Sequence, residues 1–158
     1  MSSGVDNLQI VNRTPVRKRK YWSPTYESSS DFVKPWWGET YGSEPPAEEH
    51  WVSILLLSGR EVARCKYVLT GPDTHPVLGD LPHGQLDILA FEVAVPMRRN
   101  GIGRKTLQVI RVQNPLPRMT ALNDNAESRK FWDGIGWIRH ESPHPLLRGG
   151  ERVTYSEP

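Results

Sequence analysis

Two adjoining segments, Leu86-Asp-Ile-Leu-Ala-Phe-Glu-Val-Ala-Val-Pro96 and Met97-Arg-Arg-Asn-Gly-Ile-Gly-Arg-Lys-Thr-Leu107, decide the fold. The first segment is apolar, and between Ile88 and Val95 only Glu92 is charged, which predicts a central strand covered on both faces. The second contains two glycines and then a helical pattern of apolar residues that ends before Pro115. The sequence therefore predicts a buried strand, a glycine turn and a helix, in that order.

The turn between strand and helix has the composition of an anion site. Gly101 and Gly103 have no Cβ, which lets main-chain amides point into one concavity. Four cations surround them: Arg98, Arg99, Arg104 and Lys105. Each lies at the positive end of the helix dipole. A cation in that position destabilises the helix by roughly 0.3–1 kcal/mol when no anion is paired with it. A bound diphosphate would reverse that cost, so we predict a phosphate site, with a solvated basic turn as the alternative.

The glycine spacing excludes two common phosphate-binding motifs. A nucleoside-triphosphate loop requires Lys directly after its second glycine, but Arg104 follows Gly103. A dinucleotide-binding turn requires a third glycine where this chain has Thr106. The pattern that fits is Arg98-x-x-Gly101-x-Gly103.

A second informative segment follows the predicted helix. Met119-Thr-Ala-Leu122 has a strand pattern, and Asn125-Ala-Glu-Ser-Arg-Lys-Phe-Trp-Asp-Gly-Ile-Gly-Trp137 comes next. Asn125 is a good helix N-cap, Glu127 suits the first turn, and Gly134 can end the helix.

Together the two segments resemble the acyl-CoA-binding segments of the GNAT superfamily of N-acyltransferases. That family has Arg/Gln-x-x-Gly-x-Gly/Ala after a strand, and later an Asn-initiated helix followed by Gly-aromatic. The resemblance covers the chain from Trp51 to Tyr155 well and the first fifty residues poorly. It implies one GNAT-like domain over residues 1–158, of the α/β (α+β) class. Its mixed, mostly antiparallel twisted sheet would have about six to seven strands, about four flanking helices and a splayed central parallel strand pair.

The resemblance also implies an activity. The chain would be an N-acetyltransferase that moves the acetyl group of acetyl-CoA to a primary amine of a small molecule or protein, by direct attack in a ternary complex. The alternative is a catalytically silent GNAT-like module that binds CoA or a partner. The implied cofactor-binding residues are Val93, Val95, Arg98, Arg99, Asn100, Gly101, Ile102, Gly103, Arg104, Asn125, Ser128 and Trp132.

Glu92 is the candidate general base. By strand alternation it shares a face with Leu86, Ile88 and Ala90, and an ionised carboxylate there costs several kcal/mol unless it is paired or neutralised. Such surroundings raise the pKa of a carboxyl group toward the range that suits a base. The alternative is a bulge near Val93 that turns Glu92 into solvent or a salt bridge.

The general acid departs from the family pattern. Trp132 stands where the resemblance places a tyrosine, and its indole has only an N–H to donate. Tyr155 or a water would then protonate the departing thiolate, or the thiolate leaves without specific help.

The first fifty residues support fewer inferences. The run from Arg13 to Lys20 is basic and precedes two aromatics, a composition that suits nucleic acid or an acidic partner. A solvated connector is the favoured interpretation, so nucleic acid is not the expected partner. The resemblance makes Trp36 and Trp37 candidate acceptor-groove residues, with a role in the core as the alternative.

The remaining pattern predicts mostly strands. Leu8–Val11 is a candidate first strand, and Trp51–Leu57 with Glu61–Leu69 forms a hairpin. Thr70–Gly84 is a predicted loop, and Glu151–Ser156 is the predicted last strand, paired with Trp137–His140.

Composition narrows the class of protein. A chain of 158 residues with 37% hydrophobic content can bury one core. No apolar run approaches the roughly 20 residues of a membrane span, and no hydrophobic leader is visible, so no membrane is expected and a cytoplasmic location is the default. The single cysteine, Cys65, excludes an internal disulfide and is expected to be a buried, inert thiol.

No metal site is predicted. His75 and His83 are separated by proline and glycine turns, and prolines beside His144 disfavour a helical pair with His140. Exposed strand edges are compatible with a homodimer. The acceptor amine stays open, because its groove would be built from the poorly matched segments 23–46, 70–84 and 142–150.

Overall fold

The computed structural model of the protein describes residues 7–123, 125–141 and 153–158. The main strands are β1 (Gln9–Asn12), β5 (Glu49–Leu55), β6 (Glu61–Thr70), β9 (Gln85–Val93), β10 (Arg118–Asn123), β11 (Ile138–His140) and β12 (Val153–Ser156). The smaller strands are β2 (Val16–Lys18), β3 (Tyr21–Ser23), β4 (Thr40–Tyr41), β7 (Asp73–His75) and β8 (Gly79–Leu81). Two α-helices, α1 (Ile102–Gln113) and α2 (Ala126–Gly134), complete the described elements.

The main sheet confirms the predicted fold class. Its seven strands have the order β1-β5-β6-β9-β10-β12-β11. β1 is antiparallel to β5, and both β10 and β11 are antiparallel to β12. β9 and β10 form a parallel pair, as predicted for the strands on either side of the glycine turn and its helix.

Contacts divide the chain into two compact units. Of the described residues, those up to Tyr67 and Ala90–Asn114 form the first unit, and Val68–Leu89 with those from Pro115 onward form the second. The expectation of a single domain over 1–158 stays a prediction.

The core of the first unit is aromatic. Phe32, Trp37, Trp51, Ala90 and Ala94 form one buried cluster, against which two partly buried residues pack, Tyr26 and Met97. Helix α1 buries Leu107 and Ile110, as its periodicity predicts. Cys65 is fully buried, and this burial raises the pKa of its thiol above the ordinary value of 9.0, which agrees with the expected inert thiol.

The segment 23–46, which the resemblance matches poorly, contains no α-helix. The described residues contain two α-helices rather than about four. Apart from the last residue of β3, this segment has a 3₁₀ turn, Pro35–Trp37, and the short strand β4. Its prolines explain the difference, because proline removes a backbone donor and clashes with the preceding helical turn.

The second unit contains β10, β11, β12 and helix α2. β12 pairs with β11 as predicted, although the expected start of that last strand, Glu151, lies outside the described residues. The expected loop Thr70–Gly84 contains a small hairpin instead, in which β7 pairs with β8. Neither helix in the described ranges is long and apolar enough to cross a lipid bilayer.

Candidate phosphate-binding turn and its surroundings

The glycine turn has the predicted local geometry. A 3₁₀ turn, Val95–Met97, ends β9, and α1 begins at Ile102 with Gly101 as its N-cap residue. Gly101 has a φ of 74°, in the left-handed region that favours glycine. The Asn100 side chain holds the turn, because its Nδ2 donates to the carbonyl oxygens of Met97 and Arg98, both at 3.2 Å. Asn100 is exposed and its Nδ2 shapes the turn, while its role in cofactor binding stays a prediction.

The turn presents positive charge and unobstructed backbone. Arg98, Arg99 and Arg104 are exposed, and the first turn of α1 has no acidic residue. A Cβ built on Gly101 would meet no other atom within 4 Å, so space is open beside the backbone there. The first amides of an α-helix have no intrahelical acceptor, and at this end no N-cap side chain exists to accept from them. The arrangement can donate hydrogen bonds to a phosphate group and balance its charge.

The backbone at the end of β9 is largely engaged within the first unit. The Val95 amide donates to the Asp31 carbonyl oxygen at 2.9 Å, and the Val93 carbonyl oxygen accepts from Arg98 Nε at 3.3 Å. If Val95 binds the cofactor through its amide, as the resemblance implies, that amide must leave the Asp31 carbonyl oxygen. The Val93 carbonyl oxygen can accept a second hydrogen bond without losing the first.

Glu92 is buried as alternation predicts, but its carboxylate is fully engaged. The residue is 3% exposed, and like Leu86, Ile88 and Ala90 it belongs to the buried positions of β9. Its Oε2 accepts from the Val33 amide at 2.8 Å, and its Oε1 accepts from the Lys34 amide at 3.2 Å and from Trp37 Nε1 at 2.8 Å.

Arg98 adds a weaker contact to the same carboxylate. Its Nη2 lies 3.5 Å from Glu92 Oε2. Three hydrogen-bond donors and a cation therefore surround the Glu92 carboxylate, and its role as a general base stays a prediction. Glu92 forms this ion pair while it stays buried on a continuous strand, without the bulge near Val93 that was the alternative.

The two candidate groove tryptophans have different environments. Trp37 is 5% exposed and belongs to the aromatic core, with its ring centroid 5.2 Å from that of Tyr26. Trp36 is 41% exposed, its centroid lies 5.9 Å from that of Trp37, and Lys34 Nζ lies 5.6 Å from its ring. Of the two tryptophans, Trp36 is the one available to contact an acceptor.

In the second unit, Asn125 is the N-cap residue of α2, as predicted. Its Oδ1 accepts from the Ser128 amide at 2.8 Å, and Glu127 lies in the first turn. The Ser128 Oγ donates to the Asn125 carbonyl oxygen at 3.3 Å. The helix ends at Gly134, as predicted. These contacts give both cofactor-binding candidates a structural role in starting the helix.

Trp132 and Tyr155 are both buried in the second unit. Trp132 is 4% exposed, and its ring centroid lies 4.6 Å from that of Trp137. Tyr155 is fully buried and donates from its hydroxyl to Asp133 Oδ1 at 2.8 Å. Burial, the hydrogen bond and the charge of Asp133 raise the pKa of Tyr155. The Tyr155 hydroxyl already donates its proton to the Asp133 carboxylate, and its raised pKa makes it a weaker acid. The role of Tyr155 as a general acid stays a prediction.

The parallel pairing of β9 with β10, which lies in the second unit, ends before either strand does. Their register runs from Arg118↔Gln85 to Ala121↔Ile88, although both strands continue past it. The next residues, Leu89 and Leu122, are 49% and 47% exposed. This is the local behaviour expected of a splayed strand pair.

Sequence reasoning missed the segment that binds Glu92. Val33 and Trp37 lie 59 and 55 residues from Glu92 in the chain, and nothing in their spacing indicates the contact. The available signal was the buried charge itself, since a carboxylate on an apolar face requires donors.

Comparison with known proteins supports the fold. No family model matches the sequence, and no curated protein matches it significantly. Among solved structures, an acetyltransferase from Thermus thermophilus matches with a TM-score of 0.52 and 14% identity, over 71% of this chain and 65% of that one. The described chain thus has the fold of the GNAT acetyltransferases, and it spans 65% of the length of the Thermus protein.

Two further structures are similar at lower scores. One is an N-acetyltransferase from Bacillus subtilis in complex with coenzyme A, with a TM-score of 0.49 and 15% identity, over 68% of this chain and 70% of that one. The other is a protein from Desulfovibrio desulfuricans described as a GNAT-family acetyltransferase, with a TM-score of 0.48 and 20% identity, over 69% of this chain and 67% of that one.

Proposed function

We propose that this chain is an acetyl-CoA-dependent N-acetyltransferase whose acceptor is a primary amine of a small molecule or a protein. A GNAT acetyltransferase fold supports the acyltransferase class. The observation that carries the cofactor assignment is the left-handed Gly101 at the start of α1, with open space beside it and exposed arginines around it. In this proposal the diphosphate of acetyl-CoA accepts hydrogen bonds from the backbone amides of Gly101, Ile102 and Gly103.

The reaction is a direct acyl transfer in a ternary complex. The amine nitrogen attacks the thioester carbonyl carbon, the carbon–sulfur bond breaks, and an acetamide and the CoA thiol are the products. The nitrogen loses one proton overall and the thiolate gains one. Because Glu92 is engaged by three donors, the proposal gives it a structural role and has the neutral fraction of the amine attack, with solvent accepting and supplying the protons.

The second candidate is a CoA-binding module without turnover. Two observations favour it: the engaged carboxylate of Glu92, and the presence of a buried tryptophan, Trp132, where the family has a tyrosine. Both candidates require the phosphate-binding turn, so binding and turnover must be measured separately.

The first experiment is calorimetric titration of acetyl-CoA into the wild type and into Gly101→Trp. The indole would occupy the open space beside the turn, so we expect micromolar binding in the wild type and a loss of about 100-fold or more in the variant. Thiol release with acetyl-CoA across a panel of primary amines then tests turnover. Binding with no thiol release on any amine would support the silent module.

Gly59→Trp is the matched control. Gly59 also has a positive φ, 91°, and a Cβ there also meets open space, so the substitution adds the same bulk and similar backbone strain. It lies in the turn between β5 and β6, outside the proposed site. Equal affinity losses in the two variants, or no binding by a folded wild type, would contradict the proposal.

A further inference from the structure

The basic run near the N-terminus forms part of a small sheet rather than a connector. β2 pairs with β3 and β3 with β4, all antiparallel, and the tip between β2 and β3 contains Arg19 and Lys20. Arg17, Lys18, Arg19 and Lys20 are all exposed. Within the described part of the chain, none of these four cations forms an ion pair with a carboxylate, and the sequence from Asn7 to Tyr26 contains no acidic residue.

One face of this sheet combines a cation with two aromatic rings. Lys18 is the cross-strand partner of Tyr21, and Tyr21 is the partner of Tyr41, so the three side chains share one face. The Tyr21 and Tyr41 ring centroids lie 4.4 Å apart in an edge-on arrangement, and Tyr41 is 77% exposed. An aromatic ring so exposed buries little of its apolar surface in this structure.

The opposite face is arranged differently. Trp22 has Arg17 above its ring, with 6.0 Å between the guanidinium carbon and the ring centroid, and the two residues are cross-strand partners. Arg17 Nε also donates to the Arg19 carbonyl oxygen at 3.3 Å, which holds the tip. Arg19 and Lys20, both exposed, connect Lys18 to Tyr21 at this tip.

We propose that the Lys18–Tyr21–Tyr41 face and its basic tip bind single-stranded nucleic acid. Exposed aromatic rings stack on bases of any sequence, and lysine and arginine side chains neutralise the phosphates that connect them. A duplex hides its base faces, so it would use only the cations. An acidic peptide would also use only the cations, so the exposed tyrosine row favours nucleic acid. This inference is independent of the proposed acetyl transfer.

The test is fluorescence anisotropy of a labelled oligo(U) about 12 nucleotides long with the full chain, a length within the usual range of site sizes for single-strand-binding folds. We expect affinity to fall with salt with a logarithmic slope of about −2 to −3, as for three or four phosphates. Tyr41→Ala should weaken binding about 5- to 100-fold and leave the slope unchanged. Lys18→Ala/Lys20→Ala should weaken binding and make the slope shallower by about one unit or more.

The matched control, Arg60→Ala/Lys130→Ala, removes the same charge from two other exposed positions. Normal binding by this control supports the proposal, whereas an equal loss would overturn it by showing that overall charge alone is responsible. Oligo(dT) distinguishes DNA from RNA as the source of the single strand. A poly-glutamate peptide or a duplex that competes as well as oligo(U), an unchanged affinity of Tyr41→Ala, or no saturable binding at low salt would each overturn it.

Discussion

Trp37 Nε1 donates a hydrogen bond to Glu92 Oε1 at 2.8 Å, and both side chains are at least 95% buried. This contact joins the proline-containing segment 31–37 to the strand that leads into the phosphate-binding turn. The same carboxylate touches Arg98, the first residue of the Arg-x-x-Gly-x-Gly pattern. Glu92 thus holds together, within one unit, the aromatic segment and the start of the proposed cofactor loop.

A structural Glu92 predicts a loss of stability on neutralisation. Glu92→Gln removes the charge and turns an NH₂ group toward donors, so we expect the free energy of unfolding to fall by about 2–4 kcal/mol. Urea unfolding followed by tryptophan fluorescence measures this. Trp37→Phe should also lower the free energy of unfolding, because it removes one of the three donors to Glu92. The double variant should lower it by less than the sum of the two single variants, because the two residues share one contact.

Glu48→Gln provides the control, since Glu48 is exposed in the same unit. It should change the free energy of unfolding by less than about 0.5 kcal/mol. If Glu92→Gln keeps wild-type stability and binds acetyl-CoA normally but stops acetyl transfer, Glu92 is the general base and the structural assignment is wrong.

Gly84 is predicted to be intolerant of any side chain. A Cβ there would lie 2.1 Å from the Thr70 carbonyl oxygen, and Gly84 also has a φ of 80°. Backbone cannot move aside as a side chain can, so Gly84→Ala should cost about 3 kcal/mol or more or prevent folding.

Gly79→Ala separates the clash from the backbone strain. Gly79 has a φ of 79°, nearly equal to that of Gly84, but a Cβ there meets no atom within 4 Å. We expect it to cost about 1–2 kcal/mol. Thermal unfolding of the two variants by circular dichroism makes the comparison, and equal midpoints would show that the Thr70 contact has no effect.

The N-cap of α2 makes a measurable contribution. Asn125→Ala removes the acceptor for the Ser128 amide and should lower the free energy of unfolding by about 1 kcal/mol, whereas Asn125→Asp should retain it. Urea unfolding of both variants tests this. A loss in Asn125→Asp as large as in Asn125→Ala would mean that the cap hydrogen bond is not the cause.

Two ionisable groups of the first unit, the Cys65 thiol and the Tyr26 hydroxyl, predict a loss of stability at alkaline pH. Burial raises the pKa of the Cys65 thiol above its ordinary value of 9.0, and it raises the pKa of the Tyr26 hydroxyl above its ordinary value of 10.0. The Tyr26 hydroxyl also donates a hydrogen bond to the Val52 carbonyl oxygen at 2.9 Å. Above these ordinary values the unfolded chain loses protons that the folded chain keeps. The contribution of these two groups to the free energy of unfolding is therefore complete below about pH 9. Above the ordinary pKa of each group, the free energy of unfolding falls by about 1.4 kcal/mol per pH unit for that group.

Cys65→Ala isolates one of the two contributions. The variant should be less stable at pH 7 because of the cavity, but its stability should fall less steeply above about pH 9. Urea unfolding at a series of pH values measures both slopes. Identical slopes for the variant and the wild type would exclude Cys65 as a source of the alkaline loss.

The local sequence pattern was sufficient to predict the main strands and helices, but not the long-range contacts between them. The buried alternation of β9, the glycine turn and the Asn125 cap follow from residues adjacent in sequence, and the structure contains each of them. The partners of Glu92 lie far away in the chain and include two backbone amides, which have no sequence signature. The strands β2, β3 and β4 have two or three residues each, too few for periodicity to distinguish them from a loop.

Arg99 has a backbone conformation that costs energy. Its φ is 67°, a region that costs a residue with a Cβ roughly 1 kcal/mol more than glycine, and it lies in the proposed cofactor turn. We predict that Arg99→Gly raises the free energy of unfolding by up to about 1 kcal/mol and weakens acetyl-CoA binding about 3- to 10-fold through loss of the cation.

Arg19→Gly is the control, because Arg19 also has a positive φ, 55°, but lies in the β2–β3 tip. It should change stability in the same direction and leave acetyl-CoA affinity unchanged. Calorimetric titration of both variants decides the matter: equal affinities for acetyl-CoA would remove Arg99 from the phosphate site.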